Sequence, residues 1–247
     1  GRGAPRERFA SAATGARHAG WTVLCDFDGT ITLDVTDSLL LRFGRPGWEA
    51  LEVEWRAGRI GSRECMAGQI ALLDCSREEL DEHLAPVEID PAFVPFVAAV
   101  AGAGVRLCIV SDGLDLAIAS ILDRHGIEGI PVFASRLVQS GARGWRLEFP
   151  HARAGCASAT CKCAHALSAA SAPERSVLVI GDGESDVCVA GSADLVFARK
   201  RLLDHCEAAG LVHRRTNDFA AALREWQELD PLSPGTRTLG NEETLDA

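Results

Sequence analysis

Two carboxylates one residue apart, Asp26 and Asp28, stand at the end of a short apolar run, Trp21 to Leu24. In an extended segment that spacing puts both side chains on one side. Two anions crowded at a buried strand end repel each other, and a bound Mg²⁺ is a natural compensator. It takes carboxylate oxygens and keeps positions for water and a substrate phosphate. Gly29 allows a sharp turn and close approach to a ligand, and Thr30 adds a hydroxyl beside the acids. Taken alone, this stretch also reads as solvated acids in a turn. Two further apolar runs favour a site. Val105 to Val110 ends in Ser111-Asp112-Gly113, and Val177 to Ile180 ends in Gly181-Asp182-Gly183-Glu184-Ser185-Asp186. A lone lysine, Lys162, lies between them near the start of an expected helix. In open parallel α/β sheets ligands bind outside the C-terminal strand ends. One site can therefore collect Asp26, Asp28, Ser111, Lys162, Asp182 and Asp186.

The elements that must carry these residues alternate in type. Segment 33–90 has helical spacing throughout, with Asp34 opening one helix and Ser76-Arg77-Glu78-Glu79 reading as a capping box for another. Asp90-Pro91 reads as an N-cap followed by the first helical residue. Leu114 to His125 has helical apolar spacing, residues 131–149 read as strand material with a hairpin near Gly141 and Gly144, and Ala164 to Ala170 is helical. Val177 to Ile180, Asp186 to Ala190 and Asp194 to Phe197 restore strand, helix, strand, followed by helices over 202–209 and 219–226. Such alternation is a βαβ signature. The expected fold is α/β: a Rossmann-like core with a parallel sheet flanked by helices, over 21–32 and 91–228. A small helical cap over 33–90 is inserted after the first strand. Residues 1–20 read as a flexible extension and 229–247 as a flexible tail.

Asp26-Phe27-Asp28-Gly29-Thr30, Ser111, Lys162 and Gly181-Asp182-Gly183 with Asp186 resemble the four ordered motifs of the haloacid dehalogenase superfamily of phosphohydrolases. The resemblance spans about residues 21–206. It points to the phosphoserine phosphatase-like branch, where a small helical cap follows the first motif. Within that branch, Asp28-Gly29-Thr30-Ile31-Thr32, Ser111-Asp112-Gly113, Cys161-Lys162-Cys163 and Val196-Phe197-Ala198-Arg199 are similar to the methionine-salvage phosphatases. The resemblance implies Asp26 as nucleophile and metal ligand. It implies Asp28 as general acid and then base, with its carbonyl also on the metal. Asp182 is then the distal ligand, and Asp186 lies on the metal or its waters. Ser111 and Lys162 hold phosphate, and backbone N–H groups of Asp28, Gly29, Asp112 and Gly113 complete a cradle beside Thr30. An acid at position 28 favours phosphotransfer over dehalogenation, because a leaving alkoxide needs a proton.

The implied activity is a Mg²⁺-dependent phosphomonoesterase acting through an aspartyl-phosphate on a small phosphorylated metabolite. 2-Hydroxy-3-keto-5-methylthiopentenyl-1-phosphate is the first candidate. Phosphoserine, another phosphorylated metabolite, a phosphomutase reaction or a catalytically silent ligand-binding protein are the alternatives. Asp34 and Asp37 lie near the position of a substrate-recognising acid in phosphoserine phosphatases, but at a different spacing. Trp48, Trp55, Arg56, Arg59 and Arg63 can line a pocket or form cap core.

The 247 residues are 47% hydrophobic and carry a formal charge of −10, with no block of basic residues. The charge argues against nucleic acid or an anionic membrane as partner, and no apolar stretch reaches the roughly 18 residues of a membrane span. The global field opposes a phosphate, so attraction must be local. Nine scattered cysteines read as reduced thiols in a cytoplasmic protein, and the sequence leaves the oligomeric state open, a homodimer being one option. His151, Cys156, Cys161, Cys163 and His165 form a cluster without a standard zinc spacing. Reduced thiols around Lys162 are the first reading, with a structural metal or a redox-sensitive pair as the alternative.

Overall fold

The computed structural model describes residues 20–170 and 176–229. The expected N-terminal extension and C-terminal tail fall outside the described residues, save for Gly20 and Leu229 at their edges. The chain begins with β1 (Trp21–Cys25), followed by α1 (Val35–Phe43), α2 (Trp48–Arg56), α3 (Ser62–Ala71), α4 (Arg77–Leu84) and α5 (Phe93–Gly102). Then come β2 (Arg106–Leu114), α6 (Asp115–Arg124), the hairpin β3 (Val132–Ser140) and β4 (Gly144–Glu148), and α7 (Lys162–Ala170). The last part comprises β5 (Ser176–Gly181), a single 3₁₀ turn at Glu184–Asp186, α8 (Val187–Ala190), β6 (Leu195–Ala198), α9 (Lys200–Ala209), β7 (His213–Arg215) and α10 (Phe219–Glu228).

These strands make one seven-stranded sheet in the order β4-β3-β2-β1-β5-β6-β7. Only the β3–β4 pairing is antiparallel. The central strand β1 is buried on both faces, which explains its mostly apolar run, with only Thr22 polar and also buried. Val23 and Cys25 face the larger core with Phe93, Phe96, Phe219 and Trp226, while Leu24 faces Cys108, Ala166, Val177 and Val179. Phe219 packs edge-on against Phe93 with ring centroids 4.8 Å apart.

Because β2 and β5 flank β1 on opposite sides, the order of connection reverses there. That switch point opens a crevice at the carboxyl ends of three adjacent strands. Cys25 is level with Ile109 on one side and with Ile180 on the other. The Ser111-Asp112-Gly113 segment, expected beyond a strand end, lies inside β2. The strand runs on to Leu114 and changes register against β3 between Val110 and Leu114. Such an irregularity bends a strand and re-aims its side chains.

The helical insertion α1–α4 closes over that crevice. Its caps form as read from sequence: Asp34 accepts from Asp37 N at 2.8 Å, and Ser76 and Glu79 make the reciprocal capping box. Trp145 on β4 donates to Cys75 O at 2.9 Å and ties the insertion to the sheet edge. The Asp90 cap is made as read, and only the start of the regular helix shifts, by two residues from Pro91. The helix begins at Phe93, and the Asp90 carboxylate accepts from Ala92 N and from Phe219 N, both within 2.9 Å. One Asp90 oxygen makes the local cap, and the other bridges to a distant helix.

Candidate active site

The ladder between β1 and β5 continues one residue past β1, since Asp26 N donates to Ile180 O at 2.9 Å. This fixes the backbone from which the Asp26 carboxylate projects. Lys162, at the start of α7, places Nζ 3.0 Å from Asp26 Oδ1 and 2.5 Å from Asp186 Oδ1, and donates to Ser185 Oγ at 3.0 Å. These three charged residues are 7%, 5% and 1% exposed, for Asp26, Lys162 and Asp186 in turn. The other oxygen of Asp186 accepts from Asp182 N and Gly183 N, at 3.1 and 3.2 Å, so it fastens its own turn. Thr30 Oγ1 donates to Asp182 Oδ1 at 3.1 Å, and Lys200 Nζ donates to Asp182 Oδ2 at 2.9 Å. One oxygen from each of Asp26, Asp182 and Asp186 lies within 4.8 Å of the others.

Two glycines are required by this crowding. Gly29 has φ +74°, and a Cβ there would come within 2.5 Å of the Asp182 carboxylate. A Cβ on Gly181 would meet the Asp186 carboxylate at 2.4 Å. A side chain at either place displaces an acid.

The electrostatics report a shortage of positive charge. Burial pushes Asp26 well above the usual carboxylate range; Lys162 opposes this, while Asp186 and Asp182 add to it. Burial also works against the Lys162 ammonium, but Asp186, Asp26 and Asp112 outweigh it and hold the proton firmly. Buried Lys162 and exposed Lys200 bring two positive charges to three clustered acids, one short of neutrality. The donor set therefore fits a divalent cation with hard oxygen ligands. Asp28 sits apart from this triad. Its carboxylate accepts from Val35 N at 3.2 Å and Thr36 Oγ1 at 3.1 Å, at the N-terminus of α1. Burial, then the neighbouring Asp34, lift it to about 7, against the lowering effect of those hydrogen bonds. A carboxyl poised there can give and take a proton at neutral pH.

The remaining expected residues converge on the same crevice. Ser111 is buried, and its Oγ accepts from Gly113 N at 3.0 Å, which leaves the hydroxyl proton to donate. Gly113 approaches Asp28 so closely that a Cβ would meet its Oδ2 at 2.8 Å. The Asp112 side chain is engaged by two donors of the surrounding segments. It accepts from Thr160 N at 2.7 Å and from Ser62 Oγ at 2.5 Å, which connects the first residue of α3 to the loop before Lys162. Ser62, Ser111, Asp112 and Gly113, with Asp26, Asp28 and Asp182, border a cavity of about 450 Å³ whose far wall is Glu52, Trp55, Arg56, Cys65, Met66 and Gln69 of the insertion; Lys162 and Asp186 lie behind that lining. Of the pocket candidates, Trp55 and Arg56 line it, whereas Trp48 packs against the core and Arg59 pairs with Glu54 at 2.6 Å.

Two residues were missed as site components. Lys200 holds Asp182 and donates to Gly29 O at 3.0 Å from a backbone with φ 48°. Buried Arg199 donates to Thr30 O at 3.1 Å and lies 5.3 Å over the Phe219 ring. Arg199 ends the Val196-Phe197-Ala198-Arg199 motif, which was not read as part of the site; nothing in the spacing marks Lys200, whose strain is visible only in the fold. Among the described residues only the acidic triad brings three ligand atoms within 4.8 Å of one another.

The model of the haloacid dehalogenase-like hydrolases matches residues 23–191. A 2-hydroxy-3-keto-5-methylthiopentenyl-1-phosphate phosphatase of Geobacillus kaustophilus is 35% identical, aligned over 85% of this chain and 97% of its own. An enzyme of the same name from Exiguobacterium sp. is 31% identical over 77% of this chain and 90% of its own. Among solved structures, a phospho-aspartyl intermediate analogue of phosphoserine phosphatase superposes with a TM-score of 0.64 at 18% identity, covering 83% of this chain and 97% of that one. That likeness concerns the fold. Matched from β1 to the end of the late acidic turn, the chain belongs to the haloacid dehalogenase-like hydrolase family.

Proposed function

We propose that this phosphatase of the haloacid dehalogenase type is Mg²⁺-dependent and hydrolyses a small phosphomonoester in two displacements through an aspartyl-phosphate on Asp26. The observation that carries this reading is the Asp26 carboxylate held between Lys162 and the Asp182–Asp186 turn at the mouth of a cavity. Asp26, the Asp28 carbonyl, Asp182 and Asp186 would hold the ion. When bound, it would neutralise phosphate oxygens and the acids around them.

The chain's own groups have these tasks. Asp26 attacks phosphorus, splitting one difficult displacement into two easier ones. Asp28, near neutrality in its affinity for a proton, protonates the leaving alkoxide and then takes a proton from the attacking water. Ser111 Oγ and Lys162 Nζ receive phosphate oxygens, with Gly29 and its neighbours giving the backbone room. Thr30 and Lys200 orient Asp182, and Asp186 orients Lys162. The insertion, proposed here as a cap over 33–90, excludes water and selects the substrate.

The named relatives support 2-hydroxy-3-keto-5-methylthiopentenyl-1-phosphate as the substrate. A second reading has its own observation. Asp34, Asp37 and Glu52 all border the cavity, a setting that favours a cationic group such as the ammonium of O-phosphoserine. A panel of phosphorylated metabolites ranked by kcat/KM separates the two. Release of phosphate from p-nitrophenyl phosphate with Mg²⁺, stopped by EDTA and by Asp26→Asn, tests the chemistry beneath both; turnover surviving Asp26→Asn would refute the nucleophile.

A further inference from the structure

Four thiols surround the segment that delivers Lys162, and they sort into two pairs. Cys161 is hydrogen-bonded to the Cys156 side chain within its own loop. Cys163 instead meets Cys188 across two separate segments, with the sulfurs 2.8 Å apart. That separation is inside ordinary non-bonded contact, and the two residues are unbonded thiols. Cys163 follows Lys162 directly on α7, and Cys188 lies on α8 two residues after Asp186. The same two segments are therefore joined twice: inside by the buried Lys162–Asp186 ion pair, outside by the thiols. Cys188 is exposed and Cys163 is half-buried, so a small oxidant has access from solvent.

We propose that Cys163 and Cys188 form a reversible dithiol–disulfide site that, when oxidised, covalently clasps the start of α7 to α8. The oxidant class is a peroxide. The sulfur of exposed Cys188 attacks one peroxide oxygen, the O–O bond breaks, and the products are a sulfenic acid and water. The Cys163 sulfur then displaces hydroxide from that sulfur, which leaves with the thiol proton as a second water. Two thiols are oxidised by two electrons and one hydrogen peroxide is reduced to two waters. Closing from 2.8 Å to a bond of about 2.05 Å needs a sulfur displacement of under about 1 Å. The link would close the loop between 163 and 188 and restrict the unfolded chain.

Trypsin makes the test unambiguous, because it cleaves after Lys162, Arg175 and Arg199. Peptide 163–175 then contains Cys163 alone, and peptide 176–199 contains Cys188 alone, while Cys156 and Cys161 share peptide 154–162. Full-length reduced protein is treated with stoichiometric hydrogen peroxide, alkylated in the folded state, digested without reductant and weighed. The expected result is a linked 163–175/176–199 pair that separates on adding dithiothreitol. Recovery of the two peptides separately, whether alkylated or oxidised to sulfinic acid, overturns the proposal, as does linkage confined to peptide 154–162. In parallel, the oxidised protein should unfold at a temperature higher by on the order of 5 °C than the reduced protein. Cys188→Ser should show no such shift while retaining the activity of the reduced wild type. A linked peptide with no rise in the midpoint would mean bonding in unfolded chains, and would equally overturn it.

Discussion

The two walls of the cavity are built on different principles. On the strand side, position comes from backbone: Asp26 is set by the ladder to Ile180, and Gly29 and Gly181 admit carboxylates where no side chain would fit. Asp186 spends both its oxygens on Lys162 and on its own turn. On the insertion side, Trp55 and Met66 are half-buried, Arg56 is exposed, and the first turn of α3 is held to the core by side chains: Ser62 to Asp112, and Arg63 to Cys156 O. The strand wall is thus held by backbone and by buried ion pairs. The helical wall has contacts that can be exchanged. Chemistry demands the first kind of precision, whereas substrate choice tolerates the second.

Substitutions should break this contrast in order of depth. Asp26→Asn should lower kcat by about 10³-fold or more with little change in KM, read from steady-state phosphate release, because it removes the attacking group and not the pocket. Asp28→Asn should cost about 10²–10⁴-fold in kcat while leaving Mg²⁺ affinity, measured by calorimetry, nearly intact; full activity would remove its proton-transfer role. Lys162→Met should abolish activity and also destabilise the fold by about 3–5 kcal/mol in urea titration, since it leaves Asp26 and Asp186 buried without their cation. A stable, folded Lys162→Met protein would mean that the acids carry less charge than their surroundings imply.

The pH dependence of stability follows from the same crowding. Asp26 and Asp28 hold protons more tightly folded than unfolded, Asp28 titrating at about 7 against an ordinary 3.8. Between these values the folded state binds the extra proton, so the stabilisation is complete below about pH 4 and is lost as pH rises through about 7. In EDTA the thermal midpoint should therefore be lower at pH 8 than at pH 6 as far as these groups govern it, and Mg²⁺ should restore more of it at pH 8. A metal effect of equal size at both values would contradict the charge shortage. The smallest effect belongs to the other wall. Ser62→Ala should cost about 1 kcal/mol of stability and raise KM several-fold with kcat retained, because it frees α3 but touches no reacting atom.

How much of this could be read in advance follows from where each group takes its partner. Asp26, Asp182 and Asp186 were legible because acids at the ends of apolar runs stand out, and because parallel strands bring such ends together. Lys162 was legible by its place between those runs. The caps at Asp34 and Ser76 were legible because their partners lie three residues away. Asp90 was legible by half: one oxygen caps Ala92 N as read, while the other serves Phe219 N, on the far side of the sequence. Lys200, Arg199 and the Ser62–Asp112 contact depend in the same way on segments that meet only after folding. The Cys163–Cys188 contact belongs with them: a thiol cluster was visible in the sequence, but not which sulfurs touch.

The central claim is that Asp26 takes the phosphoryl group. A reaction with Mg²⁺ and excess substrate, quenched in acid within the first turnovers and digested with trypsin, places Asp26 in peptide 18–42. Fragment-ion mass spectrometry of that peptide should find the phosphoryl group on Asp26 and nowhere else in the protein. A phosphoryl group on another residue, or sustained turnover with peptide 18–42 unmodified at every quench time, would contradict the account.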